Sequence, residues 1–420
     1  MMENRKRRVV VTGMGMATPY GYGTKKFWDA MLEGKSAIDT IQRIPLEGHS
    51  VHIAGEIKDF ESWEKLDPKE AKRMDRFTQF AVVAADEAVE DSKIDSQKED
   101  PYRYGVIVGS AAGGFDTFEK QHHNILQKGA TKCSPFTVPM LIADMGAGRI
   151  SMRHHAKGVN KAIVTACATS AHCVGDAFRT IQYGDADIII AGGSEAVITT
   201  LGIGAFTSAR TLSKRNDEPK KASRPYDIDR DGFVMSEGAA IIVLEELEHA
   251  KARGAKIYAE IVGYGQTADA YDIVAPDPTG AGAAKAMELA VADAGIKPQD
   301  VDYVNAHGTS TGLGDIAESK AIARVFGDLD TNKHLKVSST KSMHGHMLGA
   351  TGAAESIVCI KTIQDGIIPP TINLDNQDPQ VANLNYVPHK PVKADVKYAL
   401  TNSFGFGGHN ASLLFKKFED

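Results

Sequence analysis

Two cysteines lie close together in a segment whose pattern suits covalent catalysis. The segment AIVTACATSAHCVGDAF spans residues 162–178 and contains Cys167 and Cys173. Residues 162–166 are typical of a strand and apolar residues at helical spacing follow until Gly184, so we expect Cys167 at a strand-to-helix junction. Unpaired amides and the positive end of the helix dipole stabilise a thiolate there. The pattern predicts a nucleophile of lowered pKa at Cys167 and a buried, structural Cys173.

Two later segments add histidines and a lysine where strands are expected to end. VNAHGTSTGLGD (residues 304–315) places His307 in a loop of Gly, Ser and Thr after a strand. VSSTKSMHGHMLGATGAAES (residues 337–356) places these side chains before and within a Gly/Ala-rich helix: Lys341, His344, His346 and Glu355. A Gly-rich turn, SFGFGGHN, follows near the C-terminus. Such a combination of Cys, His and Lys in loops at strand ends indicates an active site.

The composition is that of an ordinary enzyme, with 42% hydrophobic and 24% charged residues in a chain of 420. This length allows two or three domains, or one pseudo-symmetric unit. A net charge of −6 gives no reason to expect nucleic acid as a partner. No apolar run approaches the roughly 18 residues of a membrane helix. The run 9–11 is too short for a secretory signal, so we expect a cytoplasmic protein.

Features that could indicate a bound metal or nucleotide carry little weight. The four cysteines form no CxxC pair, which suits a reducing compartment and argues against structural zinc. The HGH at residues 344–346 has no nearby third ligand, and we predict no metal site from it. GMGMAT after the first strand lacks the third glycine and the acidic residue of a dinucleotide loop.

Strand-like and helical segments alternate along the whole chain. RRVVVTG, YGVIVGS, KAIVTA, ADIIIAGGS and AAIIVLEEL read as strands, and FTQFAVVAADEAVEDS as an amphipathic helix. This alternation predicts an α/β fold with helices on both faces of its sheets. From about residue 257 a second series of comparable layout begins with IYAEIVGYG. The two series predict an internal duplication at the level of the fold, without a clear repeat of residues.

Five motifs in order resemble one enzyme family. TACATSAH, ASRPYDIDRDGFVMSEGA, NAHGTSTGLGD, SSTKSMHGHMLGATGAAES and NSFGFGGHN are similar to the condensing β-ketoacyl-acyl carrier protein synthases, most of all to the synthase II type of bacterial fatty acid synthesis. The resemblance covers about residues 7–417. It implies a thiolase-like, five-layered αβαβα fold of two pseudo-symmetric halves, residues 1–256 with the cysteine and residues 257–420 with the histidines. It also implies a homodimer.

The resemblance implies a decarboxylative Claisen condensation. Cys167 would accept an acyl chain from an acyl carrier protein. His307 and His346, as neutral N–H donors, would hold the thioester carbonyl of malonyl-acyl carrier protein while carbon dioxide leaves and an enolate forms. The main-chain amides of Cys167 and Phe406 resemble the family's oxyanion hole.

The same resemblance gives supporting roles to other residues. Lys341 would help to keep a histidine neutral, with Glu355 as its supporting carboxylate. Phe406 would act as a gate to the acyl chain, with glycines around it for freedom of movement. Ala112 would line the acyl pocket, where the family usually has a larger, branched residue. No organic cofactor is expected, although the family allows a structural monovalent cation.

Acyl carrier proteins are acidic, so we expect a basic docking surface despite the negative net charge. Lys69, Lys72 and Arg73 in KEAKRMDRF have helical spacing, and SARTLSKRN supplies Arg210. These positions match the docking region of the family. An ordinary solvated helix face is an alternative interpretation for each of them.

Several positions depart from the family pattern, and other functions remain open. Ser170 stands where Gly is common, His344 and His409 where Thr is usual, and Gly312 and Leu313 replace a pair that contains Pro. A thiolase would need a second cysteine, and a synthase III would pair Cys with His and Asn. A non-catalytic chain-length subunit would usually lose the cysteine. The main alternative is a ketosynthase of a polyketide or other specialised lipid pathway.

Overall fold

The computed structural model describes residues 6–419. Its strands are β1 (Val9–Thr18), β2 (Gly21–Tyr22), β3 (Asp39–Thr40), β4 (Ile53–Ala54), β5 (Tyr104–Gly109), β6 (Asn160–Lys161), β7 (Ile188–Glu195), β8 (Gly238–Glu246), β9 (Ala259–Ala268), β10 (Tyr303–Asn305), β11 (Lys336–Ser338), β12 (Ile367–Ile368), β13 (Val392–Lys393), β14 (Tyr398–Gly405) and β15 (His409–Lys416). Its α-helices are α1 (Thr24–Glu33), α2 (Pro68–Ala71), α3 (Arg76–Ser92), α4 (Phe115–Lys128), α5 (Thr137–Leu141), α6 (Met145–His154), α7 (Thr169–Gln182), α8 (Thr200–Ser208), α9 (Leu247–Ala252), α10 (Ala281–Asp293), α11 (Gly312–Phe326), α12 (Lys341–His344) and α13 (Thr351–Asp365).

The principal strands form two five-stranded arrangements with the same order and direction, one in each half. In the N-terminal half the order is β6-β5-β7-β8-β1, and in the C-terminal half it is β11-β10-β14-β15-β9. In each half the first two neighbouring pairs are parallel and the last two are antiparallel. The two sheets meet where Val9–Val11 of β1 pairs with residues 259–261 of β9. The repeated order confirms the prediction of two pseudo-symmetric halves.

Helices cover both sheets and fill the space between them. On the outside, α3 packs on β1 and β8, and α10 packs on β9 and β15. Between the sheets, α7 packs on β5 and β7, α13 packs on β14, and the two helices contact each other. The layers follow the order helix, sheet, helix, sheet, helix. One large apolar cluster includes buried residues of both halves, such as Phe178 on α7 and Ile357 on α13.

Glycines on the first strand of each half let a helix approach closely. A Cβ at Gly15 of β1 would lie 2.0 Å from the carbonyl oxygen of Ala84 on α3. A Cβ at Gly265 of β9 would lie 1.9 Å from the carbonyl oxygen of Ala286 on α10. The segments GMG and GYG are therefore a residue-level repeat, which our sequence reading did not find. Close packing of strand and helix explains the glycines of GMGMAT without a nucleotide.

Two predicted elements are shorter than expected. The strand predicted over residues 162–166 is limited to β6 at Asn160–Lys161, because β6 lies at the sheet edge and the chain then leaves its neighbour β5. The helix predicted around Lys69 and Arg73 is the single turn α2. We propose 256/257 as the boundary between the halves, in the loop between α9 and β9. Within residues 6–419, no helix is both long and apolar enough to cross a membrane.

Candidate active site

A mostly apolar cleft lies where the two halves meet. It has a volume of about 830 Å³, is partly open to solvent, and is lined by Cys167, His307, His346 and Phe406. Phe206, Phe233 and Phe404 add aromatic surface to its wall. Four side chains chosen from separate sequence motifs thus face one space. A mostly apolar cleft with a few polar groups is the usual form of a small-molecule site.

Cys167 lies in a tight turn immediately before helix α7. The turn Ala166–Ala168 is a short 3-10 helix, and Ala166 has a left-handed φ of 49°. The main-chain amides of Phe406 and of Cys167 itself interact with the sulfur. Gly405 makes this approach possible, because a Cβ there would lie 2.6 Å from the carbonyl oxygen of Thr165. Two amides from opposite halves therefore converge on the sulfur of Cys167.

The protonation state of Cys167 differs from the sequence prediction. Burial raises the pKa of the thiol to about 12, although the charge of Lys341 and the two amides lower it. The expected lowering at the helix end is therefore wrong for this structure, because desolvation of the thiolate outweighs the helix end. Burial also raises the pKa of Cys173 to about 12, and its complete burial is as predicted.

His307 is held by its main chain rather than by its ring. It follows β10, and the amides of His307 and Gly308 both donate to the carboxylate of Glu318 at 2.7 Å. Glu318 lies on α11 and is buried. Among the described residues, Nδ1 of the His307 ring has no hydrogen-bond partner. The loop is thus fixed from behind while the ring faces the cleft.

The ring of His346 is oriented by a hydrogen bond at its Nδ1 atom. Its Nδ1 lies 3.1 Å from the hydroxyl of Thr351 at the start of α13, and its amide donates to the carbonyl of Val234 at 2.7 Å. Its Nε2 has no hydrogen-bond partner among the described residues. The rings of His307 and His346 are nearly perpendicular, with centroids 5.4 Å apart. Two imidazoles at this spacing can hold one oxygen atom between them.

A buried ion pair lies near both imidazoles and contributes to their neutral state. Nζ of Lys341 donates to Glu355 at 2.6 Å, and both side chains are buried. Burial, and then the positive charge of Lys341, lower the pKa of His307 and His346 well below the ordinary value. Burial raises the pKa of Glu355, and Lys341 opposes this. Both imidazoles are therefore neutral at pH 7, as predicted.

Phe406 sits in a turn that glycine makes possible. Gly407 and Gly408 have left-handed φ angles of 81° and 75°. The half-buried ring of Phe406 lies 6.4 Å from the ring of Phe206 across the cleft. The chain therefore presents an aromatic side chain beside Cys167 on a segment that most residue types would strain.

The structure does not bring all predicted site residues to the cleft. Ala112 does not line it but packs in the apolar cluster that also includes Cys167 and Phe206. The predicted docking residues are all exposed: Lys69, Lys72, Arg73 and Arg210. Arg210 directly precedes Thr211 of the cleft wall. The roles of these five residues remain predictions.

Three of the departures from the family pattern, Ser170, His344 and His409, have distinct surroundings. The hydroxyl of Ser170 accepts a hydrogen bond from the amide of Ala353 at 2.9 Å and so joins α7 to α13. His344 is buried against Phe27, away from the cleft, and burial lowers its pKa to about 3. His409 lies behind the Phe406 turn, near His172.

Sequence reading missed the buried groups that hold the loops. Glu318 lies shortly after the motif that ends at residue 315, and Thr351 lies within the motif at residues 337–356, but only the fold shows that both contact the histidine segments. Glu195 at the end of β7 accepts hydrogen bonds from Ala111 at 2.9 Å and Gly349 at 3.0 Å. Burial raises the pKa of this carboxyl to about 7. Nothing in the sequence around Glu195 indicates that it accepts these main-chain hydrogen bonds.

Buried oxygen atoms suit the monovalent cation that the family allows. Oδ1 of Asn305, Oε2 of Glu355 and Oγ of Ser403 are buried without a hydrogen-bond partner among the described residues. They lie on the paired strands β10 and β14 and on α13, which packs against β14. Hard cations prefer such oxygens, so these residues would hold the ion. Within residues 6–419, no group of three or more Cys, His, Asp or Glu side chains could bind a metal.

Family models match both halves of the chain. Residues 6–250 match the model of the N-terminal domain of β-ketoacyl synthases, and residues 258–375 match the model of their C-terminal domain. Similar curated proteins include 3-oxoacyl-[acyl-carrier-protein] synthase 2 of Staphylococcus aureus, 53% identical over 99% of this chain and 100% of that protein. The enzyme of the same name from Vibrio harveyi is 50% identical over 98% of this chain and 99% of its own length.

Solved structures share the whole fold. A β-ketoacyl synthase from Burkholderia phymatum has a TM-score of 0.90 and 35% identity, and covers 98% of this chain and 100% of its own. The ketosynthase in a type II polyketide complex with its acyl-carrier protein has a TM-score of 0.91 and 32% identity, with the same coverage. Both likenesses agree with the predicted thiolase-like fold.

Proposed function

Because the chain belongs to the β-ketoacyl synthase family, we propose that it catalyses the elongating condensation of type II fatty acid synthesis. A cysteine-bound acyl chain would react with malonyl-acyl carrier protein to give carbon dioxide and a β-ketoacyl-acyl carrier protein. The observation that carries this proposal is the convergence of Cys167, His307 and His346 on one cleft. The 53% identity to synthase 2 enzymes, against 32% to the polyketide ketosynthase, favours fatty acid synthesis over a polyketide pathway.

The first half-reaction transfers the acyl group to Cys167. The sulfur attacks the thioester carbonyl of the acyl carrier, the carbon–sulfur bond to the carrier breaks, and the thiol proton ends on the carrier's sulfur. Because the resting thiol is protonated, its proton leaves as the sulfur attacks and passes to the departing sulfur of the carrier. The amides of Cys167 and Phe406 stabilise the tetrahedral oxyanion.

The second half-reaction forms the new carbon–carbon bond. The malonyl carboxylate leaves as carbon dioxide, and His307 and His346 donate hydrogen bonds to the enolate oxygen that results. Neutral donors suit this step since charge appears only as the reaction proceeds. The enolate carbon then attacks the acyl carbonyl, and Cys167 leaves as a thiolate. Its high pKa favours recapture of a proton.

Other residues would tune these steps. Burial lowers the pKa of both imidazoles, and the positive charge of Lys341, supported by Glu355, lowers it further. Phe406 is proposed to move when the acyl chain enters, with its neighbouring glycines as hinges. Ala112 would shape the far end of the acyl pocket through the apolar cluster that it shares with Cys167.

The carrier protein is proposed to dock on exposed basic residues. The arginine beside the cleft wall, Arg210, would contact it close to the entrance. Lys69, Lys72 and Arg73 would extend the basic surface. The curated relatives are named for acyl-carrier-protein substrates, and one solved relative was captured with its carrier.

We propose that the enzyme is a homodimer formed at the outer edge of β6. Among the described strands β6 pairs only with β5, and residues 162–165 beyond it belong to no strand. The adjoining helices α4, α5 and α6 pack in series toward β6 and expose Leu126, Val138 and Met152. Val164 on the edge is 54% exposed. Sedimentation equilibrium of the wild type and of Val164→Glu would test the dimer, which this charge should dissociate.

We also propose a cytoplasmic location, which the four free cysteines support. The function itself is tested by incubating the protein with malonyl carrier and acyl carriers of different lengths, and identifying products by mass spectrometry. The proposal predicts β-ketoacyl carriers extended by one two-carbon unit. Products extended repeatedly without reduction would support the polyketide alternative, and no product from any acyl length would contradict both.

A further inference from the structure

A buried histidine outside the cleft contacts the turn that carries the nucleophile. His172 lies on α7 and is 7% exposed. Its Nδ1 lies 2.8 Å from the hydroxyl oxygen of Thr165, directly before the Ala166–Ala168 turn. Its ring also interacts with the main-chain carbonyl of Ala168 in that turn. One side of the imidazole is therefore fixed to the cysteine segment.

The other side of the same ring meets the segment that carries Phe406. The ring interacts with the main chain of Asn410, and the ring of His409 packs edge-on with centroids 6.5 Å apart. His409 lies in turn against Gly407, where a Cβ would be 3.3 Å from its ring. Since Gly407 directly follows Phe406, the two histidines link the two turns from behind.

The separation of these turns matters because each supplies one amide to the sulfur. The amides of Cys167 and Phe406 come from different halves of the molecule. Hydrogen bonds weaken steeply when donor and acceptor move apart, and oxyanion stabilisation requires donors fixed within about 0.5 Å. The ring contacts of His172 cross between the two turns, so its position bears on both amides.

We propose that His172, backed by His409, is a positioning residue that sets the spacing of the Cys167 and Phe406 amides and thereby the rate of acyl transfer. The inference rests on the proposed function. Burial and the neighbouring His409 lower the pKa of His172, while Asp176 on the same helix opposes this. A neutral ring offers one donor and one acceptor, which suits the carbonyl of Asn410 and the hydroxyl of Thr165.

Three variants test this role. His172→Phe keeps a flat ring but removes both nitrogens, and His172→Asn restores a polar group near the position of Nδ1. Tyr264→Phe is a matched control, because the Tyr264 ring packs on His172 at 6.3 Å while its hydroxyl donates to Gln266 at 3.0 Å. Single-turnover acylation of Cys167 by intact mass, and decarboxylation of malonyl carrier, are measured for each.

The proposal predicts that His172→Phe slows acylation at least tenfold, on the order of the loss of part of an oxyanion hole, and leaves decarboxylation within about twofold. His172→Asn should recover part of the rate, and Tyr264→Phe should match the wild type. Equal losses in both half-reactions, or unchanged acylation, would overturn the proposal. If His172→Phe does not fold, His172→Asn and His409→Thr give the same comparison. A wild type without either half-reaction would count against the proposed function instead.

Discussion

In the N-terminal half, the chain leaves edge strand β6 and enters α7 through the turn that carries Cys167. In the C-terminal half, it leaves edge strand β11 and enters α13 through the segment that carries Lys341 and His346. The two segments occupy equivalent places in the repeated topology. Because α7 and α13 pack on each other between the sheets, both segments open into the same cleft.

The electrostatics of these equivalent segments are opposite. The N-terminal segment surrounds an uncharged thiol with main-chain amides, and burial keeps the thiol protonated. The C-terminal segment buries the charged Lys341 beside Glu355, and burial together with this charge lowers the pKa of the imidazoles and keeps them unprotonated. A duplicated fold thus supplies the placement, while the chemistry depends on which polar groups each half buries. The comparison predicts that the half-reactions can be separated by mutation.

The largest effect is expected in the N-terminal half. Cys167→Ser should abolish acyl-enzyme formation, because a serine hydroxyl without a general base is a far weaker nucleophile than a cysteine sulfur. Intact-mass measurement after addition of an acyl donor checks this. Cys173→Ser is the matched control, and it should acylate as the wild type does. Acylation at Cys173 in place of Cys167 would refute the assignment.

The next effect is expected in the C-terminal half. His346→Ala should slow decarboxylation of malonyl carrier about 100- to 1,000-fold, as expected for loss of a hydrogen-bond donor to a developing oxyanion. Acylation of Cys167 should fall less, since the two main-chain amides remain. Rapid-quench measurement of both half-reactions gives the loss in the decarboxylation rate relative to the loss in the acylation rate. A larger loss in the acylation rate than in the decarboxylation rate would contradict the assignment of His346 to the second half-reaction.

The charge of Lys341 should lower the pH at which the imidazoles become protonated and the decarboxylation rate begins to fall. Since both imidazoles have pKa values well below the ordinary value of 6.5, they stay neutral as pH falls to that value, and decarboxylation should be flat from pH 8 to 6.5. Lys341→Met combined with Glu355→Gln removes the charge without leaving an unpaired carboxylate. The imidazoles should then protonate at higher pH, so the fall of the decarboxylation rate on acidification should begin at a higher pH. Glu355→Gln alone is the control, and an identical pH profile for both variants would exclude the electrostatic role.

Substitutions in the glycine repeat test whether the strand–helix packing of the two halves contributes equally to the free energy of unfolding. Gly15→Ala and Gly265→Ala each place a Cβ against a helix carbonyl and should destabilise the protein by about 1–3 kcal/mol, as expected for overpacking. Gly148→Ala is the control, because the nearest atom to its Cβ is a flexible Met145 side chain at 3.7 Å. Denaturant unfolding measures all three. A neutral effect at only one of the two strands would show that the halves do not pack equivalently.

The smallest effect is expected at the docking surface. Lys72→Glu combined with Arg73→Glu should raise the apparent KM for acyl carrier protein about two- to tenfold, since exposed ion pairs contribute little individually. Reaction with a small acyl thioester should not change. Equal losses on both substrates would remove these residues from the docking surface.

Much of this arrangement could be predicted from local sequence patterns. Strand and helix periodicity located β1, β5, β7, β8 and α3, and the motifs located Cys167, His307 and His346. The pKa of Cys167 could not be predicted, because helix-end stabilisation is local whereas burial depends on the whole fold. Glu318 and Glu195 were missed for the same reason, since only tertiary packing brings each carboxylate to its amides. The Gly15 and Gly265 repeat was hidden because two glycines carry little sequence signal.

The most direct test of the central claim is the decarboxylation of malonyl-acyl carrier protein by Cys167→Ser. If a neutral imidazole pair in one half serves the enolate while the sulfur in the other half serves the acyl group, this variant should still release carbon dioxide and form acetyl carrier. Loss of decarboxylation together with acylation, in a folded variant, would contradict the account.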